Sequence, residues 1–408
     1  MSFKPANHIQ DLQYFGEFGG VNPSISDSST YTFLSAKTMF DTFEGNADGC
    51  YLYSRHSSPS NLYLGQALAA MEGTETATVT ASGMGAITPV LLQLCESGEH
   101  VVSSRTIYGG TYAFLKNFAP RLGISTSFVD ITKPKVVEAA ITPKTRVLYC
   151  ESVSNPLLEV ADIKTLAEIA KRHNLKLVVD NTFSPLSVSP AKLGADVVIH
   201  SLTKFINGSS DTVGGVVCGS QEFIDQLRNV NDGAAMLLGS TMDSFRSASI
   251  LKNLRTLHIR MQQHSKNAMY LAKQFESDGL KTVYPGLESH PSHKLFKAMM
   301  NAQYGFGGML TIDVGSLDKA NALMELMQKQ NLGYLAVSLG FYKTLFSAPG
   351  SSTSSEIPEE EQIEMGLSDG LIRFSIGLDA DIERTYGMMR NCMEQLQILE
   401  PKTSMEMA

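Results

Sequence analysis

Two ionisable residues, Asp180 and Lys204, follow neighbouring apolar runs of the sequence. Asp180 comes directly after the run 177–179, and Lys204 stands a few residues after the run 197–199. Such runs are typical of buried parallel strands, and open α/β sheets bind their ligands at the carboxyl ends of these strands. A strand-end aspartate or a lysine alone is an ordinary feature. Together, the two residues predict a carboxylate and an amine that face one crevice.

A carboxylate, an amine and a group of backbone donors are what pyridoxal phosphate (PLP) needs from a protein. The lysine forms a Schiff base, the carboxylate keeps the pyridine nitrogen protonated, and N–H and O–H donors hold the phosphate. The segment 81–87 joins a Thr-rich strand to an amphipathic helix, so Gly83 and Met84 would offer backbone N–H groups at a positive helix end. Ser201 and Thr203 flank the lysine and would add hydroxyl donors.

The elements that must position these residues belong to an alternating α/β pattern. From residue 58 to residue 256, short apolar runs alternate with helical stretches such as 163–171. This alternation predicts a mostly parallel central sheet that is covered by helices. We expect strands over the runs 101–102, 127–129, 147–149, 177–179, 197–199 and 213–217.

The rest of the chain is predicted to form an N-terminal arm and a smaller C-terminal α/β domain. The first segment is rich in Gly, Ser, Thr and aromatic residues without clear periodicity, which favours an extended arm that lies on another surface. The predicted units are the arm 1–57, the large PLP-binding domain 58–256 and the C-terminal domain 257–408. After the helical segment 220–278, we expect strands at 308–313 and 371–376, a helix at 319–330 and a long loop at 347–355.

Composition and charge narrow the functional class. The 408 residues carry a formal net charge of −8, so the chain has no excess of cations for the phosphates of a nucleic acid or an anionic membrane. The five cysteines are dispersed without a CxxC pair, and no run approaches the roughly 18 apolar residues of a spanning helix. Thr88 occupies the position of the third glycine of a dinucleotide fingerprint, which disfavours a Rossmann dehydrogenase. We expect a cytoplasmic enzyme that acts on a small molecule, with no metal site and no nucleic-acid or membrane partner.

The segments 180–183 and 194–205 resemble the signature of the cysteine/methionine-metabolism group of fold-type I PLP enzymes. They read Asp-Asn-Thr-Phe and Gly-Ala-Asp-Val-Val-Ile-His-Ser-Leu-Thr-Lys-Phe. This resemblance implies an aspartate aminotransferase-like α/β fold with PLP as the cofactor. Further blocks that are similar to the family are 53–55, 82–87, 108–111, 151–156, 337–340 and 371–377.

Three other blocks, 17–22, 284–291 and 350–356, resemble the plant-type methionine γ-lyase branch of this family. That branch implies γ-elimination of L-methionine, or of a close relative, to methanethiol, 2-oxobutanoate and ammonia. Sister members use nearly the same residues for γ-replacement, as O-acylhomoserine sulfhydrylases and cystathionine γ-synthases do, or for cleavage of cystathionine. These alternatives, and a catalytically silent PLP-binding protein, stay open at this point.

The resemblance also implies roles for individual residues at the cofactor. Lys204 would carry the cofactor and remove the proton of the substrate Cα, and Asp180 would pair with the pyridine nitrogen. Tyr108 would stack on the ring and protonate the leaving group, while Asn155 would lie near the ring hydroxyl. The phosphate would be held by Gly83, Met84, Ser201 and Thr203, together with Tyr53 and Arg55 of a neighbouring subunit.

The substrate, a sulfur amino acid, would be held by Ser338 and Arg373 through its α-carboxylate. A guanidinium fork matches a carboxylate in bidentate fashion, which supports the role of Arg373. A buried structural ion pair is the alternative for this arginine. The sharing of Tyr53 and Arg55 between subunits implies that the smallest active species is a dimer, and we expect two such dimers to form a homotetramer.

Two positions depart from the patterns common in this family. Bacterial methionine γ-lyases usually carry cysteine two residues after the stacking tyrosine, whereas this chain has Gly110, in agreement with the plant-type branch. A lysine that family members often place before an aspartate near the substrate is Asn231 here, before Asp232. Selectivity for the substrate side chain is therefore expected to differ.

Overall fold

The apolar run that precedes Asp180 lies in the middle of a twisted sheet. The computed structural model describes residues 3–44, 47, 49–350 and 359–401. Within these residues, seven strands form this sheet in the order β1-β7-β6-β5-β4-β2-β3. The strands are β1 (Thr76–Thr80), β2 (His100–Ser104), β3 (Ser125–Val129), β4 (Thr145–Glu151), β5 (Lys176–Asp180), β6 (Val197–Ser201) and β7 (Gly215–Gly219).

Most strand pairs of this sheet are parallel, as the alternating pattern predicts. β5 pairs in parallel with β4 and β6, and β2 pairs in parallel with β3 and β4, whereas β7 is antiparallel to β6 and β1. The register places Glu151 beside Asp180 and Asp180 beside Ile199. The carboxyl ends of β4, β5 and β6 therefore meet at one edge. The α/β fold class predicted from the sequence is confirmed.

Helices cover both faces of the sheet because its central strands are apolar on both sides. Val178 belongs to an apolar cluster on the side of α4 (Met84–Leu94) and α5 (Gly109–Ala113), whereas Val179 belongs to a cluster on the side of α3 (Pro59–Glu72) and α7 (Ile163–Arg172). The carboxylate of Asp162 caps α7 by accepting a hydrogen bond from the Thr165 amide at 3.1 Å. The helices are α1 (Pro5–Gln10), α2 (Ala36–Phe43), α3 (Pro59–Glu72), α4 (Met84–Leu94), α5 (Gly109–Ala113), α6 (Pro134–Ala139), α7 (Ile163–Arg172), α8 (Gln221–Leu227), α9 (Ala234–Leu238), α10 (Ser244–Leu254), α11 (Leu257–Ser277), α12 (His293–Met299), α13 (Leu317–Lys329), α14 (Glu359–Met365) and α15 (Ile382–Gln395).

A second sheet lies in the C-terminal half of the chain. Its strands in the described part of the chain follow the order β10-β11-β12-β9-β8, and α11, α13 and α15 share an apolar cluster with it. The predicted strands at 308–313 and 371–376 and the predicted helix at 319–330 each match an observed element within two residues. The strands are β8 (Lys281–Val283), β9 (Met309–Asp313), β10 (Tyr334–Leu335), β11 (Leu345–Ser347) and β12 (Leu371–Ser375).

The strand expected at 213–217 begins later, at Gly215. The two preceding residues have irregular backbone, which is tied to the lysine segment through Gly214. The Gly214 amide donates to Thr203 Oγ1 at 3.1 Å, and the Leu202 amide donates to the Gly214 carbonyl at 2.9 Å. Because these bonds occupy the N–H and C=O groups of Gly214, the pairing with β6 begins only at Gly215.

The N-terminal segment contains two short helices, α1 and α2, joined by largely irregular backbone. Several of its apolar side chains, such as Phe18, Val21 and Leu34, are almost fully exposed. The division into an arm, a large domain and a C-terminal domain stays a prediction. Of the predicted loop 347–355, residues 351–355 lie outside the described residues. Among the described helices, none combines the length and the apolar character that crossing a bilayer requires.

Candidate active site

A cavity of about 230 Å³ opens at the carboxyl ends of β4, β5 and β6. The first turn of α4 and residues from the C-terminal half also line the cavity. Nine of the twelve predicted site residues line it, namely Gly83, Met84, Tyr108, Asn155, Asp180, Ser201, Thr203, Lys204 and Arg373. The sheet topology therefore brings together residues that are far apart in the sequence.

Lys204 is largely buried, and its amine donates a hydrogen bond to Ser338 Oγ at 3.1 Å. Burial, with a smaller effect of the nearby Arg373 charge, lowers the pKa of Lys204 to about 8. The neutral amine is therefore far more populated near neutral pH than in an exposed lysine. A neutral amine is the form that can attack a carbonyl carbon and later accept a proton. The same contact places Ser338 beside the cavity.

Asp180 and Glu151 are adjacent carboxylates at the carboxyl edge of the sheet. Asp180 accepts a hydrogen bond from the Thr182 amide at 2.9 Å, and burial raises its pKa. Burial and the neighbouring Asp180 charge raise the pKa of Glu151 to about 8. Among the described residues, no lysine, arginine or histidine forms an ion pair with either carboxylate. A cationic ring nitrogen in this cavity would favour ionised Asp180.

Part of the cavity lining consists of hydrogen-bond donors. Gly83 precedes α4, an eleven-residue helix whose first amides lack acceptors within the helix. Ser201 ends β6, and its own amide donates to Thr182 Oγ1 at 2.8 Å. Thr203 follows two residues later and also lines the cavity. Backbone amides, hydroxyls and a helix N-terminus form a donor set that suits a phosphate.

Arg373 is a buried guanidinium, and only 2% of the residue is exposed. It donates to Asn155 Oδ1 at 2.7 Å, and more weakly to the Val337 carbonyl at 3.3 Å and to Ser347 Oγ at 3.4 Å. All three acceptors are neutral. The structural ion pair considered as an alternative is therefore absent among the described residues. Burial lowers the pKa of Arg373 to about 10, so the group stays charged at neutral pH and can bind an anion.

Tyr108 stands at the mouth of the cavity, at the N-terminus of α5, and its backbone amide donates to Glu151 Oε1 at 2.7 Å. Its ring lies against Gly110. A Cβ at position 110 would lie 2.6 Å from Tyr108 Cε1 and 3.3 Å from Met84 Sδ. The space that a side chain at 110 would fill is therefore occupied by the tyrosine ring.

Two predicted residues, Tyr53 and Arg55, lie outside this cavity in their own chain. Arg55 Nη1 donates to the Met236 carbonyl at 3.0 Å, and Tyr53 is 47% exposed. Asn231 is exposed and does not line the cavity either. The predicted contribution of Tyr53 and Arg55 to the site of a neighbouring subunit stays a prediction.

Two residues of the site received no role from the sequence. Glu151 lines the cavity, and Thr182 links the ends of β5 and β6 through its amide and its hydroxyl. The sequence does contain a pattern that could have predicted Glu151 as a site residue, because Glu151 ends β4 in the same way that Asp180 ends β5. The signal for Thr182 is weaker, since its hydroxyl accepts from the Ser201 amide, a backbone group that every residue except proline offers.

The cavity fits PLP in three respects. A lysine amine with a lowered pKa lines it, an acceptor carboxylate lies at the sheet edge, and a phosphate donor set surrounds the start of α4. Lys204, Asp180 and the group around Gly83 would hold the aldehyde, the ring nitrogen and the phosphate.

Comparisons with known proteins agree with this assignment. The family of Cys/Met metabolism PLP-dependent enzymes matches residues 7–384. A methionine gamma-lyase of Arabidopsis thaliana is 47% identical over 389 residues, which cover 94% of this chain and 88% of that protein. A cystathionine gamma-lyase of Bacillus subtilis is 39% identical over 333 residues, which cover 81% of this chain and 85% of that protein.

A solved structure adds the cofactor to the comparison. A putative O-acetylhomoserine (thiol)-lyase of Campylobacter jejuni contains N'-pyridoxyl-lysine-5'-monophosphate and matches with a TM-score of 0.88 at 29% identity. The match covers 96% of this chain and 100% of that chain. Because the family match extends along most of the sequence and one cavity gathers the donors that its cofactor requires, this chain belongs to the Cys/Met metabolism PLP-dependent enzymes.

Proposed function

We propose that this enzyme eliminates the γ-substituent of L-methionine or a close relative. Methionine and water then give methanethiol, 2-oxobutanoate and ammonia. The observation that carries the proposal is the buried Arg373, which faces the cavity of Lys204 with neutral partners only. An amino-acid carboxylate supplies the missing anion. The 47% identity to a methionine gamma-lyase supports the reaction itself.

Lys204 and Tyr108 perform the proton transfers. When bound, PLP supplies an electron-withdrawing ring that stabilises negative charge at the substrate Cα. Lys204 would hold the cofactor, and its amine, when it is free, would take the Cα proton. Its lowered pKa supports this role, because a base works best when its pKa lies near the working pH. After a second proton leaves Cβ, Tyr108 protonates the departing thiolate.

Arg373, Asn155 and Ser338 orient the amino acid. Arg373 binds the α-carboxylate, and Asn155 fixes the guanidinium by accepting one of its hydrogen bonds. Ser338 contacts the Lys204 amine, and in this proposal its hydroxyl donates to the same carboxylate once that amine is released. This orientation directs the Cα–H bond towards the base.

Two alternatives remain within the same family. A γ-replacement transferase, such as an O-acylhomoserine sulfhydrylase or a cystathionine γ-synthase, differs in the nucleophile that enters the site. A cystathionine γ-lyase differs in the substrate that it accepts. Both kinds of relative are similar to this chain, as the Bacillus subtilis and Campylobacter jejuni proteins illustrate. A silent PLP-binding protein is disfavoured because Lys204, Asp180, Tyr108 and Arg373 are all present.

The deciding experiment supplies the purified holoenzyme with L-methionine alone. We expect 2-oxobutanoate and methanethiol in equal amounts, with no thioether product. Lys204→Ala serves as the control and should release neither product. Cystathionine, and O-acetylhomoserine with and without added thiol, are assayed in parallel.

A different outcome would change the proposed reaction but not the residues proposed to bind the cofactor. If methionine is inert and O-acetylhomoserine plus thiol yields a new thioether amino acid, the enzyme is a transferase. If cystathionine is cleaved and methionine is not, it is a cystathionine γ-lyase.

We also propose a homotetramer, a dimer of dimers with shared sites, in the cytoplasm. The positions of Tyr53 and Arg55 outside the cavity support sharing, since both match a family block that contacts the phosphate across subunits. The exposed apolar side chains of the N-terminal segment support burial against another copy. The five cysteines are all free thiols, as expected for a reducing compartment.

A further inference from the structure

Glu151 occupies a central place in the cavity and has no part in the reaction described so far. It ends β4, lies beside Asp180 in the register of the sheet, and is only 7% exposed. A buried carboxylate without an ion-pair partner requires hydrogen-bond donors. The two backbone amides that donate to Glu151 indicate its role.

The two oxygens of Glu151 bind two different loops. Oε1 accepts from the Tyr108 amide at 2.7 Å, and Oε2 accepts from the Asn155 amide at 2.8 Å. Tyr108 lies after β2 and directly precedes α5, whereas Asn155 lies in the loop after β4. One side chain therefore fixes the backbone of two residues that act at different ends of the substrate.

We propose that Glu151 is a positioning residue that sets Tyr108 and Asn155 relative to each other. The inference rests on the proposed function, in which Tyr108 serves the leaving group. The position of Asn155 in turn affects Arg373, the residue proposed to bind the substrate α-carboxylate, because Asn155 Oδ1 accepts a 2.7 Å hydrogen bond from Arg373. The separation between the proton donor and the carboxylate clamp thus depends on one carboxylate.

A carboxyl group is the side chain that this arrangement demands. Both partners are N–H donors, and each oxygen of Glu151 accepts one of them, which it can do whether or not the group carries a proton. Glutamine keeps one carbonyl oxygen but places an NH₂ group opposite the second donor. Glu151→Gln should therefore lose one of the two bonds, and Glu151→Ala should lose both.

Glu159 provides a matched control in the same loop region. It also bridges the two loops, because it accepts from the Thr106 hydroxyl and its amide donates to Ser154 Oγ at 3.1 Å. It is buried less deeply than Glu151 and does not line the cavity. Glu159→Gln therefore perturbs the junction of the loops without touching the amides of Tyr108 and Asn155.

The first test measures kcat and KM of the holoenzymes with L-methionine, each expressed per bound PLP. We expect roughly 10- to 100-fold loss of kcat in Glu151→Gln, because small displacements of reacting groups have effects of this size. KM should rise as the Arg373 clamp shifts, and Glu151→Ala should lose more. Glu159→Gln should stay within about twofold of the unmodified enzyme.

A double-mutant cycle separates positioning from folding. If Glu151 acts through Tyr108, the kcat loss of Glu151→Gln should be smaller in a Tyr108→Phe background. Fully additive losses, or unchanged kcat per bound PLP in Glu151→Gln, would overturn the proposal. A loss that only follows PLP content would overturn it too, because it would show a structural role.

A second readout needs no substrate and therefore survives a failure of the proposed reaction. Amide hydrogen exchange of the holoenzyme should accelerate in peptides that contain Tyr108 and Asn155 in Glu151→Gln, but not in Glu159→Gln. Equal exchange of these peptides in all three proteins would overturn the positioning role. If methionine is inert but the exchange pattern holds, only the substrate has been misassigned.

Discussion

At the scale of single residues, Gly110 shows how an absent side chain shapes the site. A Cβ at this position would lie 2.6 Å from Cε1 and 3.2 Å from Cζ of Tyr108. Real Cβ atoms do not approach so closely, so the tyrosine ring would have to rotate away. Its backbone cannot follow freely, because the Tyr108 amide is held by Glu151.

We predict that Gly110→Ala lowers kcat with L-methionine about 10-fold or more, since the proton donor is displaced. Gly387→Ala is the matched control, because Gly387 also lies in a helix but has no atom within 4 Å of the position that the added methyl group would take. Alanine there should leave kcat unchanged and raise stability by up to about 1 kcal/mol. Steady-state kinetics and urea unfolding of both variants provide the check. Equal kcat in the two variants would show that the ring accommodates the methyl group.

Residue types near the cofactor could be predicted from the sequence, whereas their mutual contacts could not. Asp180 and Lys204 follow apolar runs, and this local signal sufficed to predict that they meet. The bonds of Glu151 escaped prediction because its partners, Tyr108 and Asn155, are backbone amides of other loops. Every residue except proline has such an amide, so no residue type marks this contact.

At the scale of elements, the lysine segment is held between two parts of the C-terminal half. Arg260 of α11 donates to the Phe205 carbonyl at 2.5 Å and to the Ile206 carbonyl at 2.8 Å. From the other side, Gly340 approaches so closely that a Cβ there would collide with the Phe205 amide nitrogen. Gly340 has a φ of +80°, a conformation that favours glycine.

We predict that Gly340→Ala impairs both stability and catalysis, because the new methyl group would displace the Lys204 backbone. Gly315→Ala separates the two effects, since Gly315 has a similar φ of +90° but no neighbour within 4 Å of the added carbon. This control should lose only about 1 kcal/mol from left-handed strain and keep its kcat. Urea unfolding and kcat per bound PLP distinguish the variants. If Gly340→Ala and Gly315→Ala changed the free energy of unfolding and kcat equally, the proposed steric contact at Gly340 would be refuted.

Long elements were predictable and short ones were not. The helix at 319–330 and the strand at 371–376 contain enough residues for a period to appear. β8, β10 and β11 have only two or three residues, too few for alternation, and they form because β9 and β12 offer edges for pairing. The late start of β7 depends on bonds between Gly214 and Thr203, which are contacts between elements.

At the scale of the whole molecule, the N-terminal segment differs from the rest of the chain. α2 buries none of its residues, and Met39, Phe40 and Phe43 form an exposed apolar face. The spacing of these residues places them on one side of the helix. Such a face is expected to pack against another surface, and Tyr53 and Arg55 follow it closely in the sequence.

We predict that each active site combines residues of two subunits, with Lys204 from one chain and Arg55 from its partner. Arg55→Ala and Lys204→Ala chains should each be inactive as pure oligomers, whereas mixed oligomers should regain part of the activity. In a mixed dimer, one of the two sites carries both unmodified residues, so recovery up to about one quarter of the full activity is expected for a random, equal mixture.

Mixtures of Lys204→Ala with Asp180→Ala chains serve as the control and should recover no activity. Both residues line one cavity of the same chain, so every site in these mixtures carries one of the two substitutions. Verified mixed oligomers of Arg55→Ala and Lys204→Ala without any recovery would show that Arg55 does not act across subunits.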